Sequence, residues 1–141
     1  MSASSPTPLV SIIVVNWNVG QLVVQCIDSL YAHGGLSPAE QELLVFDNAS
    51  TDDSVAVIRA ARPDVRLEVL PENLGFGRAN NLGFKVSRAE LVLLLNPDTI
   101  VRPGAIKALV DSMQTDPRIG IVGAKLLNRD GALQRSGGGS F

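Results

Sequence analysis

Two hydrophobic rhythms take turns along this chain, and their order predicts strand and helix in alternation. Leu9 to Val15 is β-branched and almost wholly apolar, as in a buried first strand. From Gln21 to His33, Val23, Cys26, Ile27, Leu30 and Tyr31 recur at three- and four-residue steps, a helical stripe closed by Gly34-Gly35. Glu42 to Phe46 predicts a second strand. Ser50 followed by Asp53 predicts a capping box for a helix from Thr51 to Ala61, which Arg62-Pro63-Asp64 breaks. Val65 to Leu70 predicts a third strand, and the loop from Pro71, with Gly75 and Gly77, enters a helix reaching Val86. The unbroken apolar run Leu91 to Leu95 predicts a fourth strand covered on both faces. A helix starting at Pro103, with Arg102 as its cap, places Ile106, Leu109, Val110 and Met113 on one side, and Asp116-Pro117 ends it. Ile119 to Ala124 predicts a fifth strand, followed by a turn at Asn128-Arg129-Asp130-Gly131.

About five strands alternating with helices predict an α/β fold: an open, mainly parallel sheet with helices on both faces and right-handed crossovers. The folded unit is expected over residues 9–135, after a disordered Ser/Pro-rich segment at 1–8 and before a flexible Gly-rich end at 136–141. A length of 141 residues, 45% hydrophobic and 18% charged, fits one globular domain with a substantial core. The net charge of -2 argues against a general nucleic-acid surface. The single Cys26 has no partner for an intramolecular disulfide, and its place in the helical stripe makes it a core thiol. Met1 to Pro8 lacks the basic and apolar regions of a secretory leader, so the expected compartment is cytoplasmic. No apolar run approaches the ~20 residues that span a bilayer, which leaves peripheral association, at the inner face of the cell membrane, as the route to a lipid surface. His33, the only histidine, falls at a helix C-terminus, where it suits the helix dipole better than catalysis or metal binding.

The polar residues cluster where the strands end. Asn16-Trp17-Asn18 follows the first strand, Asp47-Asn48 the second and Asn96-Pro97-Asp98 the fourth, so all three share the carboxyl edge of the sheet. Ligands of such sheets bind outside that edge, near the point where strand order reverses. An Asp after a Pro also suits the middle of a turn, but three clusters on one edge favour a site. Asp47 is suited to accept the imide N–H of uracil or thymine, and Asp98 and Asn96 offer hard oxygens for Mg²⁺ or Mn²⁺. Such an ion would offset the charge of a diphosphate against an acidic domain. Backbone amides at the start of the third helix, with Arg78 nearby, are a further candidate for an anion. The pattern Gly75-Phe76-Gly77 lacks the third glycine of a dinucleotide fingerprint and follows the wrong strand for one.

Taken together, Val10 to Asn18, Asp47-Asn48-Ala49-Ser50-Thr51-Asp52, Asn73 to Asn81 and Leu95-Asn96-Pro97-Asp98-Thr99 resemble the family 2 glycosyltransferases, in particular the bacterial rhamnosyltransferase-like branch. The resemblance spans roughly residues 9–135 and implies a GT-A, Rossmann-like fold. It implies transfer of a sugar, rhamnose among the candidates, from a UDP- or dTDP-linked donor with inversion at the anomeric carbon. The implied acceptor is a saccharide or a lipid-linked sugar in cell-wall or surface polysaccharide synthesis. By position, Asn16 and Asn18 would line the nucleoside pocket, Asp47 beside Asn48 would hold the base, and Arg78 would lie near phosphate or ribose. Asp98 would be the metal ligand of the family's Asp-x-Asp element.

The chain departs from the family pattern twice. Asn96 stands where the first acid of Asp-x-Asp is expected, which removes one negative charge from the metal site. The family's catalytic base, an Asp or Glu, belongs to a C-terminal half with no counterpart in these 141 residues, so no catalytic residue is assigned. The competing reading is a non-catalytic nucleotide-binding or interaction domain of the same fold. A phosphoacceptor receiver would need acids where Asn16 and Pro71 stand, and a nucleotidyltransferase would need a Gly-rich basic loop where Asn16-Trp17-Asn18-Val19-Gly20 stands.

Overall fold

A computed structural model describes residues 7–134. The expectations for the leading segment therefore fall outside the described residues at 1–6, as does the Gly-rich end. Four strands, β1 (Val10–Asn16), β2 (Gln41–Asp47), β3 (Arg66–Val69) and β4 (Leu91–Leu94), alternate with α1 (Gly20–His33), α2 (Ser54–Ala61), α3 (Phe76–Val86) and α4 (Ala105–Gln114). All the pairings are parallel, and the order is β3-β2-β1-β4. The chain thus steps outward from β1 to β3 and returns to the other side of β1, which places the reversal of strand order between β1 and β4.

β1 is buried throughout, and the period of two divides its side chains between two cores. Val10, Ile12 and Val14 face Val23, Cys26, Ile27 and Leu30 of α1, Ile58 of α2, and Ile106 and Val110 of α4. Ile13 and Val15 face Leu44, Phe46, Leu70 and Ala79, beneath α3. Burying each such branched chain contributes roughly 1.5–3 kcal/mol. The expected sheet with helices on both faces is therefore present, with three helices on one face and α3 alone on the other. α3 lies close enough that a Cβ at Gly83 would meet the Ile13 side chain at 2.6 Å.

Several expectations change. No strand forms over Ile119 to Ala124: the segment is irregular, pairs with no strand of the sheet among the described residues, and leaves Ile121 91% exposed, so its apolar composition finds no partner strand to order it. The sheet of the described residues has four strands. β4 is an edge strand, half covered, with Leu94 open to solvent, and not a strand covered on both faces. α2 starts at Ser54 and not at Thr51, since the Ser50 hydroxyl bonds Asp47 instead of capping a helix, and Asp53 makes no side-chain cap bond. α4 starts at Ala105 and not at Pro103. Its cap is Gly104 in a left-handed conformation, whose N–H donates to the His33 carbonyl, and Arg102 contributes its carbonyl to the Ala105 N–H without being the cap. Tyr31 leaves the α1 stripe for the surface, where the Arg62 guanidinium lies 5.1 Å from its ring centre. The turn at Asn128 to Gly131 forms, with Leu127 bridging Leu133 across it.

Candidate functional site

The ends of β1 and β2 are stapled by a buried polar network. Asn16 and Asp47 are register partners and both are 0% exposed. The Asn16 amide donates to Asp47 Oδ1 at 2.6 Å and to Ser50 Oγ at 3.1 Å, and its own oxygen accepts the Val19 N–H. Ser50 gives its hydroxyl to Asp47 Oδ1 at 2.6 Å and its N–H to Oδ2 at 2.9 Å. Asn18, with φ of 56°, sends its N–H to Ser50 Oγ and takes the Thr51 N–H on its side-chain oxygen. A short amide side chain tolerates that left-handed backbone better than most residues do. The network fixes the bend after β1 and leaves Trp17, between the two asparagines, 56% exposed.

A second clamp joins β2 to the loop before α3. The Asn48 amide donates to Asn73 Oδ1 at 2.9 Å, and its oxygen accepts the Leu74 N–H at 2.8 Å. Asn73 Oδ1 also takes the Gly75 N–H at 2.9 Å. Gly75 caps α3 with φ of 78°, and a Cβ there would meet nothing within 4 Å, so glycine serves the backbone conformation and not the space. Two amides of this loop, those of Leu74 and Gly75, are thereby engaged just before α3 begins.

At β4 the chain turns through Asn96 to Thr99, closed by the Thr99 N–H on the Asn96 carbonyl, with Pro97 and Asp98 in the middle. Asp98 is exposed. The buried Cys26 thiol packs below, 3.6 Å from the Asn96 carbonyl. Burial, aided by the Asp98 charge, pushes that thiol up to about 11, which keeps it protonated and inert at neutral pH.

These elements enclose a cleft of about 430 Å³ at the carboxyl edge, across the β1/β4 reversal. Val15, Trp17, Val19 and Leu22 line one part of it; Asn48, Asn73 and Phe76 another; Asn96, Pro97 and Asp98 the rest. Of the residues expected from sequence, Asn48, Asn96 and Asp98 meet there. Asn16, Asn18 and Asp47 are not among its lining residues and are tied to one another through Ser50 at the ends of β1 and β2. Arg78 is exposed on α3 and does not line it; two residues beyond Phe76 is roughly 200° around the helix. Trp17, Asn73 and Phe76 are the additions. The signal for the two aromatics was present: Trp17 sits in a polar strand-to-helix connection and Phe76 at the glycine-flanked start of α3, where an aromatic has no core to join.

The donor set accommodates a divalent ion only with help. Among the described residues no group of three or more His, Cys, Asp or Glu gathers to hold a metal. Asp98 is the one carboxylate among the cleft's lining residues, with the Asn96 amide oxygen two positions away. One carboxylate beside an amide matches an ion that keeps several waters and completes its shell with phosphate oxygens. A second cleft, about 350 Å³, lies near the start of β2 at the opposite edge, and its Arg62 is engaged by Asp28.

The family model described as glycosyl transferase family 2 matches residues 11–137. An N-acetylglucosaminyl-diphospho-decaprenol L-rhamnosyltransferase of Mycobacterium tuberculosis is 34% identical over 105 residues, 67% of this chain and 34% of that protein. The succinoglycan biosynthesis protein ExoO of Rhizobium meliloti is 32% identical over 111 residues, 77% of this chain and 31% of that protein. Among solved structures, a mannosyltransferase from Pyrobaculum calidifontis in complex with GDP-Man and Mn²⁺ is similar with a TM-score of 0.67 at 26% identity, over 80% of this chain and 34% of that one. TarS 1–349 of S. aureus in complex with UDP-GlcNAc is similar at 0.62 and 27%, over 73% of this chain and 31% of that one. The chain spans about a third of the length of the curated relatives it matches.

Proposed function

The chain belongs to glycosyl transferase family 2, and on that premise we propose that its cleft holds the nucleoside diphosphate of a nucleotide-sugar donor for an inverting sugar transfer. The fold is the GT-A-like α/β arrangement of its structural neighbours. One observation carries the reading: Trp17, Asn48, Phe76, Asn96 and Asp98 come from four separate strand ends and connections onto a single cleft. The indole of Trp17 offers a flat apolar face on which a base stacks. The Asn48 amide offers the base a polar edge beside it, above the Asp47 network that braces it. Asp98 and the Asn96 oxygen would hold Mg²⁺ or Mn²⁺, which when bound neutralises the diphosphate as it leaves.

Nucleotide sugars as the ligand class are supported by the GDP-Man and Mn²⁺ of one neighbour and the UDP-GlcNAc of another. The rhamnosyltransferase relative supports rhamnose as the sugar and a lipid-linked acceptor; the succinoglycan relative supports a saccharide acceptor. Asp98, the cleft's carboxylate, is committed to the ion in this reading. The base that takes the acceptor's proton is therefore not assigned to a lining residue of this cleft.

Calorimetric titration of the 141-residue protein with UDP, dTDP and GDP, with and without Mn²⁺, tests this. The expected result is binding that Mn²⁺ strengthens, with the metal dependence lost in Asp98→Ala and affinity lowered by about 1–3 kcal/mol in Trp17→Ala. Metal dependence retained in Asp98→Ala would remove Asp98 from the site, and folded protein that binds none of the three would overturn the reading.

A further inference from the structure

We propose that Asn73 is a positioning residue of this cleft, holding Phe76 and the loop before α3 in the shape that the nucleotide meets; the inference rests on the nucleotide reading above. A single atom does the coupling. Asn73 Oδ1 receives both the Asn48 amide and the Gly75 N–H, each at 2.9 Å, so one oxygen joins the end of β2 to the cap of α3. The opposite oxygen, on Asn48, returns a bond from the Leu74 N–H, which makes the connection reciprocal. Leu74 in turn packs against the core beneath α3.

Side-chain packing adds little to what this clamp holds. Gly75 sits at positive φ with open space around it, and Phe76 is 55% exposed, so side-chain packing does little to fix either. Asn48 is 3% exposed, and the same amide that faces the cleft has its orientation set by these two bonds. Release of Asn73 therefore loosens the Gly75 cap before Phe76 and leaves the Asn48 amide with its Leu74 bond alone, at a residue that is itself exposed and adds little to the core.

The chemistry of the clamp separates its parts. Both bonds use the oxygen of Asn73 as an acceptor, so Asn73→Asp keeps them and Asn73→Ala loses them. The test measures UDP, dTDP and GDP affinity with Mn²⁺ at 0.15 M salt, which screens the added charge of Asp, together with hydrogen exchange of the Gly75 amide. Asn73→Ala is expected to weaken the nucleotide that binds wild type by about tenfold and to speed Gly75 exchange by at least as much, with Asn73→Asp restoring both and melting temperatures nearly unchanged. Unchanged affinity in Asn73→Ala, against a wild type that binds, overturns the role of Asn73 alone. Unchanged Gly75 exchange overturns the clamp whether or not nucleotide binds. Wild type that binds no nucleotide overturns the functional reading instead, and with it this role.

Discussion

Asp47 lies at the carboxyl edge with no exposed surface, and Asn16 and Ser50 direct three hydrogen bonds onto its two oxygens. A charge in that setting is held by its donors, and removing it leaves them short of an acceptor in a dry place. Asp47→Ala is expected to lower stability by about 2–3 kcal/mol, measured as the shift in urea unfolding. Were Asp47 instead a direct base contact, the same variant would keep its urea midpoint and lose nucleotide alone. The polar clusters themselves were legible in the sequence because strand ends could be read from apolar runs. Which member of each cluster faces the cleft was not. That choice follows from the pleat and from the register that sets Asn16 opposite Asp47, neither of which a single sequence displays. Asn48, Asn96 and Asp98 reach the cleft, whereas Asn16 and Asp47 turn toward each other beneath it.

The order of elements was legible for the same reason, since periods of two and of 3.6 are local properties. Boundaries depended on tertiary partners instead. Ser50 serves Asp47 rather than α2, and the Gly104 N–H reaches the His33 carbonyl, so α2 and α4 both begin later than their local capping patterns imply. A comparable long-range tie joins elements at the other edge. Glu42, at the start of β2, accepts the Ser11 hydroxyl at 2.6 Å, the Arg88 N–H at 3.0 Å and the Arg88 Nε at 2.7 Å. It thereby pins β1 and the α3–β4 connection to β2. Burial pushes this carboxyl up, but the Ser11 and Arg88 bonds outweigh it and hold it below the usual glutamate range. A lowered native value means that the stabilisation is full above the ordinary value of 4.5 and is lost as pH falls through the native one. Melting curves of wild type and Glu42→Gln are therefore expected to differ by a constant gap between about pH 7 and 5, and to converge on further acidification. A gap that is insensitive to pH would show that Glu42 acts by shape and not by charge.

At the scale of the molecule, the two edges of the sheet are built differently. β3 shows Arg66 and Glu68 to solvent, charges of the kind that discourage another strand from pairing. β4 reads Leu-Val-Leu-Leu and carries none. The Leu95 N–H bonds the Ile13 carbonyl across to β1, so the alternation of the ladder turns the backbone groups of Val92 and Leu94 outward. Leu94 is 44% exposed, Ile100 just beyond it is 61% exposed, and after α4 the chain adds exposed Ile121 and Leu133. The sequence misled here for a physical reason: an unbroken apolar run fits a central strand and an uncovered edge strand equally well, and only the strand order separates them. An apolar edge whose backbone donors and acceptors meet no partner among the described residues is a template for another strand. The 141-residue protein is accordingly expected to associate with rising concentration, and Leu94→Lys, which places a charge on that edge without entering the core, is expected to reduce the association. Light scattering across a concentration series checks both. A wild type that stays monomeric at millimolar concentration would mean that this edge is protected by its own flanking chain, and association that survives Leu94→Lys would move the contact to the apolar residues after α4.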